Sequence, residues 1–226
     1  MATTDRTADP KPKRPRNRVY VIADLHLGHA KVAEYRGFPT VEAHDDALVQ
    51  AWNEKVGKHD VVYVLGDVFQ LGRVPLLNGM KKLALGNHDQ KPISNYVRLF
   101  SKVRAYFEFD GCLLSHIPVH PSQFGRYELN VHGHTHARHV DDIRYVSVSA
   151  EQCPGFRPVL LREVLEERRA VVKRVHPNTT ACTGCGCAID PDVCGCGATI
   201  YPDTLSHPHP VIPMGCMCYR DRRMNR

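Results

Sequence analysis

From Arg18 onward the chain alternates short apolar runs with polar stretches. "RVYVIA" (18–23), "DVVYVLG" (60–66) and "MKKLALG" (80–86) are aliphatic or β-branched runs bounded by polar residues, and they read as buried strands. "VRAYFEF" (103–109) alternates with period two. A turn at Asp110-Gly111 joins it to "CLLSH" (112–116) as a hairpin. "YELNVHG" (127–133) and "RYVSVSA" (144–150) supply two further strands. "TVEAHDDALVQAWNEKV" (40–56) is helical. Thr40 is a start signal, and Val41, Ala47, Leu48, Ala51, Trp52 and Val56 fall near one face, which leaves His44 and the nearby His59 at exposed positions. "PVLLREVLEERRAVVKRV" (158–175) predicts a helix closing on the core. Strands interleaved with helices place the chain in the α/β class.

The pattern stops at His176. Beyond it the chain is rich in Gly, Pro and Cys and carries almost no helical period. Three parts result: a basic disordered tail (1–17), a catalytic domain (18–175) and a Cys/His-rich segment (176–226). Seven of the nine cysteines fall in the last part. Cys182, Cys185 and Cys187 form C-x2-C-x-C, followed by Cys194 and Cys196, then His207, His209, Cys216 and Cys218. This departs from two C-x2-C knuckles, yet it offers enough ligands for two four-coordinate structural zinc sites. A segment so poor in apolar residues needs a metal to fold. Cys112 and Cys153 stand apart and read as buried thiols.

Composition narrows the class further. No apolar run has the length of a membrane span, and the polar N-terminus has no apolar signal core, so a cytoplasmic, non-membrane protein is expected. Net charge is +6, with much of the excess in "KPKRPRNR" (11–18) and "RDRRMNR" (220–226). These read as solvated tails, and they are the only support for a nucleic-acid partner.

The ends of the strands carry the chemistry. Asp24, His26 and His29 follow the first strand, Asp67 the second, and Asn87, His88 and Asp89 the third. His116 ends "CLLSH", and His132, His134 and His136 end "LNVHGHTH". The carboxyl edge of an open α/β sheet is where ligands bind. Oxygen and imidazole donors without thiolate suit Mn, Fe(II) or Zn. Asp67 is an isolated carboxylate and a natural bridge between two cations.

"DLH" (24–26), "GD" (66–67), "GNHD" (86–89), "SH" (115–116) and "GHTH" (133–136) together resemble the motif set of calcineurin-like metallophosphoesterases, in that family's order. "DLHLGHAK" and "GFRPV" (155–159) look like its compact bacterial and phage members. The resemblance covers roughly residues 18–160. It implies a sandwich of two mixed β-sheets flanked by helices, and a dinuclear centre in which manganese is the first expectation. Asp24, His26 and His136 would hold one ion, Asn87, His116 and His134 the other, with Asp67 between them. His88 would be the general acid for the leaving group, and Asp89 would orient its imidazole. His132, just before Gly133, is expected to point into the core.

The expected activity is hydrolysis of a small phosphodiester, such as a cyclic nucleotide, by a metal-bridging hydroxide. The short core leaves little room for a cap or a DNA-binding lobe. A nuclease, a phosphomonoesterase and a non-catalytic adaptor are the alternatives. His29, His120 and Arg126 are candidate substrate contacts, in loops beside the ligand motifs.

Overall fold

The computed structural model describes residues 17–175 and two short strands that pair antiparallel, β10 (Thr180–Ala181) and β11 (Ala188–Ile189). The zinc-ligand candidates from Cys182 to Cys218, and residues 1–16 of the basic tail, lie outside the described residues.

The three apolar runs become the centre of a five-stranded sheet. β1 (Val19–Ile22) pairs parallel with β2 (Val61–Leu65), β2 with β3 (Met80–Ala84), and β3 with β4 (Lys102–Arg104). β9 (Val159–Leu160) joins the other side of β1 antiparallel. The second sheet has the order β5 (Tyr106–Phe109), β6 (Cys112–Ser115), β7 (Asn130–His132) and β8 (Tyr145–Ser147). The β5–β6 hairpin is antiparallel and the remaining pairs are parallel. Both sheets are therefore mixed. Ala23 joins their ends: its N–H donates to Val148 O at 2.8 Å, and its carbonyl accepts from Ala150 at 3.0 Å.

The alternating run 103–109 is not one strand. The chain leaves the first sheet after Arg104 and enters the second at Tyr106. Period two survives the crossing because the apolar set keeps facing the space between the sheets. There Phe107 and Phe109 pack on Tyr63 of β2, with ring centroids 5.2 and 6.0 Å away.

The helices flank the sheets. α1 (Ala30–Tyr35) is short and is capped by the His29 ring, which accepts from Val32 N–H. α2 (Val41–Lys55) starts where Thr40 Oγ1 accepts from Ala43 N–H at 3.1 Å. It buries Leu48, Ala51 and Trp52, and the Trp52 indole donates to Asn78 O. The expectation for His44 is corrected: it is 0% exposed, because Arg36 and Asp45 both bond its ring on the inner face of α2. His59 is exposed. α3 (Ile93–Tyr96) is one turn, too short for a period to mark. α4 (Leu161–Val175) closes the described domain and buries Leu161 and Leu165. No helix among the described residues is long and apolar enough to cross a membrane.

Candidate metal centre

Parallel strands deliver their carboxyl ends to one edge of a sheet, and the loops after β1, β2, β3, β6 and β7 meet there. Asp67 sits in the middle. Its Oδ1 accepts the His88 backbone N–H at 2.8 Å. Its Oδ2 lies 3.5 Å from His26 Nε2 and 3.4 Å from His116 Nε2. Ligand atoms bound to one ion at ~2.1 Å lie ~3.0–3.4 Å apart. Asp67 Oδ2 thus stands at such a separation from imidazoles on two sides.

Around this oxygen two groups gather. Asp24, His26 and His136 offer atoms within 4.8 Å of one another, and so do Asp24, Asp67 and His116. The His26 and His136 rings stack at 5.1 Å. On the other side, Asn87 Oδ1 lies 2.9 Å from His116 Nε2 and 3.0 Å from His134 Nδ1. One amide oxygen thus faces two imidazole nitrogens at ligand spacing.

The donor set fits cations. Both ring nitrogens of His26 are buried with no hydrogen-bond partner among the described residues. A buried polar group left unpaired costs ~1–3 kcal/mol, and an ion would relieve that. His116 Nδ1 lies 2.8 Å from Leu65 O, and a proton donated there leaves Nε2 free to coordinate.

The backbone is bent to reach this arrangement. Asp24, His26, Asp67, His134 and His136 all have φ between 48 and 69°. Non-glycine residues seldom occupy this left-handed region, and such residues cluster at functional sites. Gly86 lets the β3 turn approach Asp67, since a Cβ there would collide with the Asp67 carboxylate.

A family model described as calcineurin-like phosphoesterase matches residues 17–202. The chain belongs to that family. The match runs past residue 176, further than the motifs alone. A gene 66 protein of Mycobacterium phage D29 is 34% identical over 160 residues, covering 54% of this chain and 80% of that protein. An uncharacterised protein of Methanocaldococcus jannaschii is 29% identical over 185 residues, covering 70% of this chain and 97% of its own length. A crystal structure of an Aquifex aeolicus protein of unknown function shares the fold at a TM-score of 0.53 and 20% identity, covering 67% of this chain and 99% of that one.

Burial and charge shape this phosphoesterase's centre. Burial pushes Asp24 up to about 6, against the pull of His116. Burial also drives His26 down to about 3, so its ring is neutral and ready to coordinate. Burial opposes the charge on Asp67, but His116 and the His88 N–H outweigh it and hold the carboxyl below its usual range.

Asp89 does not orient His88. Its oxygens accept backbone N–H groups from Asp67 and Gly86, each at 2.9 Å, and from Val68 and Phe69 at 2.9 and 3.4 Å. The carboxylate holds the β2 turn that carries Asp67. Among the described residues the exposed His88 ring has no hydrogen bond, and it lies 5.3 Å from the His26 ring.

Two supporting residues, Glu151 and Arg36, went unpredicted. Glu151 Oε1 lies 2.8 Å from His136 Nδ1 and accepts from Arg36 Nε at 2.9 Å. Arg36 also donates to Asp24 O at 2.6 Å and Leu25 O at 3.1 Å, and it meets His44 Nε2 at 2.9 Å. His29 stands near the mouth, its ring 5.4 Å from that of His26. His120 bonds Ser122 in its own loop, and Arg126 pairs with Glu108. His132 is buried, with Nδ1 2.8 Å from Gly133 O.

Proposed function

We propose that this phosphoesterase hydrolyses phosphodiesters, with small accessible ones such as cyclic nucleotides among its substrates, and that it uses two divalent ions, manganese first among them. The carrying observation is Asp67 Oδ2, which lies within 3.5 Å of imidazole nitrogens on two sides. Asp24, His26 and His136 would hold one ion and Asn87, His116 and His134 the other. Ions held there polarise phosphoryl oxygens and acidify water.

The remaining work falls to side chains of the chain. His88 is exposed beside the His26 ring and would give a proton to the departing oxygen. The second Asp67 oxygen is tied to the His88 N–H, so carboxylate and imidazole are positioned by one turn. A diester carries a single negative charge, and its leaving oxygen needs that proton. A monoester dianion would bind two cations tightly and leave slowly.

His88→Ala should keep stoichiometric metal and lower diester turnover by roughly 10²–10⁴-fold, the usual worth of general acid help. Aryl mono- and diesters with one leaving group, assayed with manganese, test the preference. Loss of metal in His88→Ala would refute the assignment, and a clear preference for the monoester would make the protein a phosphomonoesterase.

A further inference from the structure

His116 faces more than the metal centre. It borders a cavity of about 410 Å³ whose walls include Leu85, Tyr106, Ile117, Val119 and Tyr127. Cavities of this size suit one planar or apolar group. Tyr106 and Ile117 are 49% and 52% exposed, and both line this one cavity beside His116.

Tyr106 and Ala105 also border a second cavity, of about 590 Å³, which Lys82, Lys102, Arg104 and Phe107 line further on. The strand pairing explains the order. Tyr106 pairs with Ser115, the residue before His116. Ala105 is the crossing point between sheets, and Arg104 is the last residue of β4. Lys82 and Lys102 are partners on adjacent strands. Like charges so placed repel. Among the described residues neither Lys102 nor Arg104 has a carboxylate partner within ion-pair distance. Glu108 borders the same groove, but Arg126 and Tyr127 bond its carboxylate. Lys82 also donates to Tyr63 Oη and Arg104 lies over the Phe107 ring, and with one carboxylate against three cations the groove keeps a net positive charge.

Outward from the metal centre, the order is imidazole, aromatic and aliphatic wall, then cations. An apolar, aromatic-walled pocket followed by a roomier, positively charged groove is the pattern that holds single-stranded nucleic acid. We infer that the two cavities bind a nucleoside and its next phosphate, in a linear single strand whose scissile diester lies at the metal centre. This rests on the phosphodiesterase reading and refines its substrate class. The base would lie against Tyr106 and Ile117, and the phosphate at Lys82, Lys102 and Arg104. A paired duplex keeps its bases stacked and cannot fill the first cavity.

The test uses the full chain and two surface variants, Tyr106→Ala and the double variant Lys102→Glu with Arg104→Glu. Binding of fluorescent oligothymidylate is measured by anisotropy in chelator, so that nothing is cleaved. Tyr106→Ala should weaken binding about tenfold, the usual scale for loss of one base stack. The double variant should flatten the slope of log affinity against log salt by about 0.7, the share of one phosphate contact on a single strand. With manganese, the ratio of kcat/KM for the oligonucleotide to that for an aryl diester should fall about tenfold in both. The basic N-terminal segment is the same in all three proteins, so it cannot produce these differences. Equal binding and an equal ratio across the three would overturn the inference. Failure of the hydrolase reading would look different: no diester would be cleaved, while the strand still bound in the groove.

Discussion

Glu151→Gln should weaken metal binding while leaving the protein folded. The carboxylate holds His136 and Arg36 through one oxygen, at 2.8 and 2.9 Å. Arg36 in turn ties the carbonyls of Asp24 and Leu25, the turn that carries one candidate ligand and precedes another. Glutamine keeps the shape and an acceptor oxygen and loses the charge. A hydrogen bond to a charged group is worth ~1.5–3 kcal/mol and a neutral one ~0.5–1.5; the His136 bond becomes neutral while the Arg36 bond keeps the guanidinium charge, so together they lose ~1–2 kcal/mol. The proton on His136 Nδ1 also becomes less firmly fixed, and with it the Nε2 that faces the centre. Changes at such supporting partners typically cost 10–100-fold in metal affinity, or ~1.4–2.7 kcal/mol, which agrees with the bond count. Glu151→Ala goes further, because it strands the Arg36 cation, whose side chain is 1% exposed. Removing one partner of a buried pair costs ~3–5 kcal/mol, so this variant should lose several degrees of Tm as well. Competition with a chromophoric chelator gives the affinities, and thermal melts give the stability. A folded Glu151→Gln protein with unaltered metal affinity would refute the reasoning.

Asp89→Ala should remove the acceptor of four backbone N–H groups and displace Asp67, so metal content should fall together with turnover; normal metal content would return Asp89 to a role at His88. Asp60 provides a pH test away from the centre. Burial opposes its charge, but the Gly57 N–H and then the Arg18 N–H and guanidinium overcome this and hold the carboxyl below its ordinary 3.8. Its stabilisation is fully present above about pH 3.8 and fades as pH falls through the lower folded value. Asp60→Asn should therefore melt earlier at neutral pH and lose part of the acid dependence of Tm; an unchanged acid limb would remove Asp60 from that account.

The metal-competent residues were legible because a strand fixes the direction in which the next loop leaves it. Five apolar runs ending in Asp, Asn or His needed only parallel pairing to converge, and β1, β2, β3, β6 and β7 provide it. The supporting residues were hidden for separate reasons. Glu151 lies 15 residues beyond His136 in a single 3-10 turn, with no period or motif to mark it. His44 sits on a helix whose hydrophobic face is marked by apolar residues alone, and a buried charge network leaves no trace in that pattern. Asp89 follows His88 in sequence, but neighbours in a tight turn point different ways. Its carboxylate reaches across to residues about 20 positions earlier. The break at Ala105 escaped because crossing between sheets need not disturb period two.

The bent backbone of the centre leads to one more measurement. Five candidate ligands hold φ in the left-handed region, and each such residue costs of order 1 kcal/mol, Asp and His being among the residues that bear it best. His26 adds two buried ring nitrogens without partners among the described residues. These costs fall on the folded chain alone, since the unfolded chain relaxes both. A domain is stable by only ~5–15 kcal/mol, so they are a large fraction of the whole. Ions that bind the fold and not the unfolded chain offset them by linkage, ~2.7 kcal/mol per site at a hundredfold excess over Kd. Two occupied sites give ~5 kcal/mol. For a domain of this size that corresponds to a Tm difference of order 10 °C. Melting the full chain with excess manganese and again after exhaustive chelation should show that drop, together with an earlier loss of the β1 and β7 turns in hydrogen exchange. Equal Tm values, with metal analysis proving the second sample empty, would mean that the turns are stable without ions and that the strain is borne by packing instead.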